Sequence, residues 1–329
     1  MGLDGRSPLT ATARTVDIVL LFPGQGSQKP GMGKALAEQF PVARAVFERA
    51  DRVLGVPLAR LCFEGPADEL TATQNAQPAL LAHGAAVWAV VRDCLRPRVR
   101  AAAGHSLGEF TAHHAAGTFG LDAALRLVRR RGELMAESGV RTPGAMAAVL
   151  GLDEAGVESA CAEAAKATGG VVVPANYNTP EQLVISGEVG AVERAMELAK
   201  AKGAKRALRL NVSGAFHSPL MASAAGGLQS ALEAAGARTP EFPVYANANA
   251  APVTTAGDAL RLLREQLTSA VRWTEEVRRI AAAVPGALFV ELGPGNVLAN
   301  LVTRIVPGAA VASCGTAAEV EQLRQRVAA

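Results

Sequence analysis

A strand, a tight turn and a helix are encoded around residues 104–108, and this unit constrains the fold more than any other segment. A short apolar run at 99–103 precedes the turn Gly-His-Ser-Leu-Gly, and a helical pattern occupies 109–116. In this setting G-x-S-x-G is typical of a nucleophile elbow, which presents Ser106 at a helix N-terminus. Free N–H groups and the helix dipole favour an oxyanion there. The alternative is a glycine-rich turn whose serine only caps the helix.

Length and composition place the chain among ordinary globular proteins. Its 329 residues predict two domains or one large domain with an insertion. The net charge of +3 suits a local basic patch for an acidic partner but is too small to indicate nucleic-acid binding. Four scattered cysteines show no metal-ligand spacing, so we expect reduced thiols, a cytoplasmic protein and no metal site. Neither a signal peptide nor a membrane-spanning segment is predicted.

Alternating strand and helix patterns predict an α/β protein with a largely parallel sheet and helices on both faces. Around the G-x-S-x-G turn this gives an α/β-hydrolase-like catalytic domain, composed of residues 1–141 and 213–329. Residues 142–212 follow the order β-α-β-β-α-β and predict an inserted ferredoxin-like subdomain. Residues 1–14 predict a loose tail. Further helices are predicted at 35–54, 78–95, 121–137 and 258–269, with a last helix after the turn at 293–295.

A nucleophilic serine needs a base, and the chain contains five histidines. His217 lies in a loop just after the predicted insertion, where functional residues are common. The other four are less suitable as the base. His105 is next to the serine in the chain, His113 and His114 lie roughly 10 Å further along its helix, and His83 lies inside another helix. Elimination therefore predicts His217 as the base. No acidic residue ends a strand in the right place, so the third position of a triad stays unassigned, and a backbone carbonyl could hold the imidazole instead.

Helical phase singles out two polar residues. Arg131 falls on the edge of the apolar stripe of its helix, whereas Arg130 points nearly opposite. A guanidinium near the core needs an anion, and its planar fork suits a carboxylate, although a structural ion pair explains the position equally well. Gln266 shares a helix face with Leu262, Leu263 and Leu267, so its amide is predicted to be buried and bonded, for structure or for the site.

The turn Gly24-Gln25-Gly26 invites comparison with dinucleotide-binding loops. The spacing to Gly31 does not fit G-x-G-x-x-G, and no ribose-binding acid follows at the usual distance. A nucleotide cofactor site is therefore not predicted. The turn can still present backbone N–H groups, one of which could form an oxyanion hole together with the N–H of Leu107.

Taken together, the motifs resemble the malonyl-CoA:acyl-carrier-protein transacylase family and the related acyltransferases of polyketide synthases. The resemblance is specific because the matches run in family order from about residue 16 to 304. One departure is His113-His114, where small or aliphatic residues are more usual, and no role follows for this pair. The matching segments are Phe22-Pro-Gly-Gln-Gly-Ser-Gln28, Gly104-His-Ser-Leu-Gly-Glu109, Arg131 before Gly132, Gly144-Ala-Met146, Asn176-Tyr-Asn178, Val184-Ile-Ser-Gly187, Gly214-Ala-Phe-His217, Gln266 with Trp273, and Glu291-Leu-Gly-Pro-Gly295.

The resemblance implies roles for the reacting groups. Ser106 would be the nucleophile and His217 its general base. The backbone N–H groups of Gln25 and Leu107 would form the oxyanion hole. In this family a main-chain carbonyl near a characteristic amide orients the histidine; Gln266 matches that amide, which would explain the missing acid.

The resemblance also implies substrate selection. Arg131 would bind the malonyl carboxylate. In similar domains that load methylmalonyl units, a Tyr-Ala-Ser-His pattern places a smaller residue where this chain has Phe216. The bulky ring therefore resembles the malonyl type, although a single methyl group is worth only roughly 1–3 kcal/mol of discrimination.

The implied activity is ping-pong transfer of a malonyl group from malonyl-CoA to the phosphopantetheine thiol of an acyl carrier protein, for fatty acid or polyketide synthesis. The implied partners are malonyl-CoA and the carrier, with no permanent cofactor, nucleic acid or membrane, and a monomer is expected. A proofreading hydrolase of the same fold is the alternative, which Arg131 disfavours because such an enzyme should accept uncharged acyl chains. A non-catalytic carrier-docking module would be expected to lack Ser106 or His217.

Overall fold

The computed structural model describes residues 16–328, so the predicted tail at 1–14 lies outside them. The described residues form ten strands in two sheets. In chain order the strands are β1 (Ile18–Phe22), β2 (Val99–Gly104), β3 (Ala145–Leu150), β4 (Val172–Thr179), β5 (Gln182–Gly187), β6 (Arg206–Arg209), β7 (Val244–Tyr245), β8 (Pro252–Val253), β9 (Leu288–Glu291) and β10 (Ala310–Ser313).

Fourteen α-helices connect and flank these strands within the described part of the chain. None of them is long and apolar enough to cross a membrane. They are α1 (Lys34–Gln39), α2 (Pro41–Leu54), α3 (Leu58–Glu64), α4 (Ala67–Thr71), α5 (Thr73–Leu95), α6 (Leu107–Ala115), α7 (Leu121–Arg141), α8 (Glu154–Thr168), α9 (Val189–Ala201), α10 (Ala222–Glu233), α11 (Ala256–Glu265), α12 (Trp273–Ala283), α13 (Val297–Ile305) and α14 (Ala317–Ala328).

The larger sheet has the order β10-β9-β1-β2-β7-β8, and only the β7–β8 pair is antiparallel. Alternate residues of the central strand β1 enter different cores, because successive side chains of a strand point to opposite faces. Ile18, Leu20 and Phe22 belong to one core and Val19 and Leu21 to the other. Both faces are covered by helices, as expected for a parallel sheet, so the predicted α/β fold is confirmed.

The smaller sheet is antiparallel, with the order β4-β5-β3-β6. Its strands and helices α8 and α9 follow the predicted order β-α-β-β-α-β and enclose a separate core. Asp153 caps α8, its side chain accepting the N–H of Gly156 at 2.9 Å. All four strands lie within the predicted segment 142–212, whose boundaries stay a prediction.

Several elements differ from the sequence expectation. The helix predicted at 35–54 is two helices, because extended Phe40 ends the first and Pro41 begins the second. The helix expected from Pro78 begins at Thr73, with the proline inside its first two turns. The predicted last helix, α13, is followed by β10 and α14. Helices α10 and α12 were also not predicted; α10 is rich in alanine and glycine and gives a weak apolar pattern.

The carboxyl ends of β1, β2 and β7 lie side by side, which is where parallel sheets place their functional groups. The turn after β2 touches the end of β1 so closely that only glycine fits. A Cβ added to Gly108 would lie 1.9 Å from the carbonyl oxygen of Phe22, and one added to Gly104 would lie 2.0 Å from Gly108. The two glycines of G-x-S-x-G therefore let the serine turn pack against the neighbouring strand.

Candidate active site

Ser106 sits at the end of β2 in a conformation that non-glycine residues rarely adopt, with φ of 53° and ψ of −105°. Its Oγ atom lies 2.7 Å from Nε2 of His217. This is hydrogen-bond distance for a nucleophile and its base. The structure thus brings together the two residues that motif and elimination had selected, about 110 positions apart in the chain.

Main-chain carbonyls fix the orientation of His217. Its Nδ1 atom lies 3.0 Å from the carbonyl oxygen of Gln266 and 3.1 Å from that of Ser269. A carbonyl can only accept, so Nδ1 carries the proton and Nε2 presents a lone pair to the Ser106 hydroxyl. Burial and, next, the Arg131 charge lower the pKa of His217 to about 3. The imidazole is therefore neutral at physiological pH, and the position left open for an acid is occupied by two carbonyls.

Arg131 is almost completely buried at 1% exposure and reaches the same serine. Its guanidinium donates to Oε1 of Gln77 at 2.8 Å, Oγ of Ser106 at 3.1 Å and Oε1 of Gln266 at 2.9 Å. Its Nε–H has no partner, and no carboxylate among the described residues forms a salt bridge with it. Burial lowers its pKa to about 10, which still leaves it cationic. No direct ion pair to Arg131 is present among the described residues. The charge of Glu109 raises the pKa of Arg131, but the Gln266 amide lies between the two groups, so the site holds a cation with no carboxylate in contact.

These groups open into a cleft of about 310 Å³ between the two sheets. Gln25 and Leu107 line it beside Ser106, and their backbone N–H groups make no hydrogen bond to any described residue. Phe216 is only 6% exposed and also faces the cleft. Five further apolar side chains line the cleft, Met135, Met146, Val184, Leu210 and Val212, together with the polar residues Gln28, Thr71, Asn176 and Asn211.

The Gln266 side chain connects the parts of the site. Its Nε2 atom donates to the carbonyl oxygen of Ser106 at 2.9 Å and to Oε2 of Glu109 at 2.7 Å, while its Oε1 accepts from Arg131. The residue is fully buried and follows the last residue of α11. The predicted buried amide is thus present, and it contacts the site itself.

Three contacts in the site were not foreseen. Glu109, fully buried in the first turn of α6, accepts from Gln266; burial raises its pKa to about 7. Asn247 accepts the N–H of Ser106 at 2.7 Å. His105, next to the serine in the chain, does not bond its hydroxyl but lines the cleft and bonds Asn178 of β4 at 2.8 Å. The sequence shows only that Asn247 follows a strand. That this strand lies beside β2 is a property of the fold, so the sequence alone could not indicate the contact.

The other histidines lie away from the serine. His113 is buried and bonds the hydroxyl of Thr118 at 3.1 Å, and His114 bonds the carbonyl of Phe119 at 3.1 Å. His83 is buried within α5, as expected. Among residues 16–328, no group of three or more histidine, cysteine or acidic side chains could hold a metal ion.

Comparisons with known proteins agree with this geometry. The acyl transferase domain family matches residues 19–324. The malonyl CoA-acyl carrier protein transacylase of Bacillus subtilis (strain 168) is 45% identical over 88% of this chain and 90% of its own, and that of Escherichia coli (strain K12) is 44% identical over 87% and 92%.

Solved structures show the same fold. The acyl-carrier-protein S-malonyltransferase of Bartonella henselae has a TM-score of 0.90 and 44% identity, covering 95% of this chain and 100% of its own. A malonyl-transacylase solved with its type II polyketide synthase acyl carrier protein has a TM-score of 0.89 and 41% identity, covering 94% and 99%. With its serine, histidine and buried arginine in one cleft, this chain belongs to the acyl transferase family and, within it, to the malonyl CoA-acyl carrier protein transacylases.

Proposed function

We propose that the protein transfers a malonyl group from malonyl-CoA to the phosphopantetheine thiol of an acyl carrier protein. The observation that carries this proposal is the buried Arg131 guanidinium, 3.1 Å from the Ser106 hydroxyl and without a carboxylate partner among the described residues. A buried cation with no carboxylate in contact is unfavourable, so the site favours an acyl group that brings its own carboxylate. Malonyl is such a group, and acetyl is not.

The first half-reaction follows from the hydrogen bonds at Ser106. Nε2 of His217 accepts the hydroxyl proton as Oγ bonds to the thioester carbonyl carbon. The carbonyl oxygen becomes an oxyanion, which the N–H groups of Gln25 and Leu107 can stabilise because no described residue accepts from them. The C–S bond then breaks, and His217 returns the proton to the sulfur as CoA leaves. A malonyl ester remains on Ser106.

The second half-reaction reverses these steps with a different thiol. His217 accepts the proton of the carrier's phosphopantetheine thiol, the sulfur attacks the ester carbonyl, and the proton returns to Oγ of Ser106. The imidazole is ready for both steps because its low pKa keeps it neutral. Serine, base and cation supply all the groups that this chemistry needs, so no resident cofactor is part of the proposal.

The apolar part of the cleft supports transfer over hydrolysis. Phe216 and the five other apolar side chains give the cleft surfaces that do not bind water. The proofreading alternative would need a site for uncharged acyl chains, and the cation at Arg131 is unsuited to them. No observation favours that alternative.

One assay separates the candidate activities. The protein is incubated with radiolabelled malonyl-CoA, the acyl-enzyme is trapped by acid, and holo acyl carrier protein is then added to a parallel sample. Label that stays on the protein and moves to the carrier supports the proposal. Rapid release of free malonate would support a hydrolase, and no labelling in the wild type, with Ser106→Ala as the blank, would exclude both enzymes.

A further inference from the structure

Asn247 contacts the serine turn without lining the cleft, and none of the roles discussed so far involves it. It follows β7, the neighbour of β2 in the sheet. We infer that Asn247 is a positioning residue, whose side-chain amide holds the strained peptide of Ser106 so that the hydroxyl stays aligned with His217.

The Asn247 side chain is fully buried and bonded on both sides of the turn. Its Oδ1 accepts the N–H of Ser106 at 2.7 Å, and its Nδ2 donates to the carbonyl oxygen of Gly104 at 2.8 Å and to Oε1 of Glu276 at 2.9 Å. Two of these partners flank His105 in the chain. The amide therefore joins the end of the strand to the start of the helix across the sharpest part of the elbow.

Strained backbone persists only where the surroundings over-determine it. Ser106 has such a backbone, and both of its polar main-chain atoms are held by amides: the N–H by Asn247 and the carbonyl by Gln266 at 2.9 Å. One consequence concerns the oxyanion. Because Asn247 takes the N–H of Ser106, that group cannot stabilise the oxyanion, which leaves the N–H groups of Gln25 and Leu107.

Asn247 is itself held by the network that orients the base. Its backbone N–H donates to Oε2 of Glu109 at 3.0 Å, and the same oxygen accepts from Gln266 at 2.7 Å. Gln266 in turn provides the carbonyl that orients His217. Ser106 and His217 are thus both connected to the buried carboxyl group of Glu109, the serine through Asn247 and the histidine through Gln266.

The test is Asn247→Ala, compared with Thr118→Ala, which removes a buried hydrogen bond away from the serine. Misplacing a reacting group by about 1 Å lowers a rate about 100-fold. We expect single-turnover acylation by malonyl-CoA to fall by about that factor in Asn247→Ala, with KM within about threefold of the wild type. Thr118→Ala is expected to acylate at the wild-type rate. An Asn247→Ala loss that appears only in KM, or is no larger than that of Thr118→Ala, would overturn the inference.

Malonyl-CoA is the natural choice of substrate only because of the proposed function, so a second reagent keeps the two apart. A fluorophosphonate forms an O–P bond to Ser106 with loss of fluoride and needs the serine and His217 but no carboxylate site. If the wild type reacts with it but does not load malonyl, the proposed function fails. Slower labelling of Asn247→Ala would then still support the positioning role, and equal labelling would reject it.

Asn247→Asp gives a result that lost stability alone would not. The new carboxyl can accept the N–H of Ser106, but when ionised it has no donor for Gly104 and lies between Glu109 and Glu276. Protonation restores a donor and removes the charge. We expect its fluorophosphonate rate, divided by that of the wild type, to be at least threefold higher at pH 6 than at pH 8. A ratio independent of pH would contradict the inference. This test also applies if circular dichroism shows that Asn247→Ala does not fold.

Discussion

Replacing Arg131 by alanine should remove the preference for malonyl over acetyl groups. The guanidinium is 1% exposed and uses three of its five N–H donors on Gln77, Ser106 and Gln266. The two N–H groups without a partner are that of Nε, which is fully buried, and one on Nη1. Leaving one member of a buried charge pair without its partner costs about 3–5 kcal/mol. At 1.4 kcal/mol per factor of ten, the specificity ratio should fall about 150- to 4000-fold.

The quantity to measure is kcat/KM for malonyl-CoA divided by kcat/KM for acetyl-CoA, in acylation of the enzyme. Arg131 also contacts Ser106, and the ratio cancels any loss of reactivity that both substrates share. Arg130→Ala is the matched control, since this neighbour bonds only the surface glutamates Glu133, which is half-buried, and Glu137, and should leave the ratio unchanged. Arg131→Lys keeps the charge without the planar fork and should lie between. A change of less than about threefold in Arg131→Ala would refute the carboxylate role.

The other predictions concern the base, the aromatic wall and a buried histidine. The rate of fluorophosphonate labelling should be nearly constant from pH 6.5 to 5, because burial and the Arg131 charge lower the pKa of His217 to about 3. With an unperturbed histidine as the base the rate would fall about 15-fold over that range, and such a fall would contradict the prediction. Arg131→Gln should move the acid limb to higher pH, since removing a positive charge raises the pKa of His217. Phe216→Ala should raise loading of methylmalonyl-CoA relative to malonyl-CoA by about 10- to 200-fold in a competition assay read by mass spectrometry, and an unchanged ratio would exclude Phe216 as the selecting residue. Burial lowers the pKa of His113 to about 3, so the wild type loses stability as pH falls below the unfolded-state pKa of about 6.5. Between pH 7.5 and pH 5 the free energy of unfolding of His113→Asn, measured with denaturant, should therefore rise by about 2 kcal/mol relative to that of the wild type. Parallel pH profiles of the two proteins would contradict this prediction.

The parts of the site that the sequence could predict depend on local patterns. Ser106 was identified by a turn that only glycine can form, Arg131 by helical phase, and His217 because few histidines were available. The first two rest on a geometry that a short stretch of chain defines by itself, and the third rests on elimination among five histidines. Their roles in the reaction stay predictions, for which the experiments above are designed.

The parts that could not be predicted depend on which strands become neighbours. Asn247 and the carbonyl of Ser269 act through contacts with Ser106 and His217, more than 50 residues away along the chain. Nothing in their own segments indicates those contacts. The short strand β10 and helix α14 were missed for a related reason: β10 is held by pairing with β9, a tertiary contact that its four residues do not encode alone.

The contact between β4 and the segment after α11, whose carbonyls orient His217, limits which parts of this protein can be exchanged with those of a relative. Tyr177 donates its N–H to the carbonyl of Val271 at 2.9 Å, and Val271 donates its own to Ala175 at 2.8 Å. Val271 lies two residues after Ser269, whose carbonyl orients the imidazole. A chimera that exchanges the small sheet for that of a relative would therefore replace one side of this pairing and disturb the base from a distance. An exchange with crossover points at 142 and 212 alone would separate β4 from residues 269–274, which pair with it. We therefore expect an exchange to keep activity only if residues 142–212 and 269–274 come from the same parent.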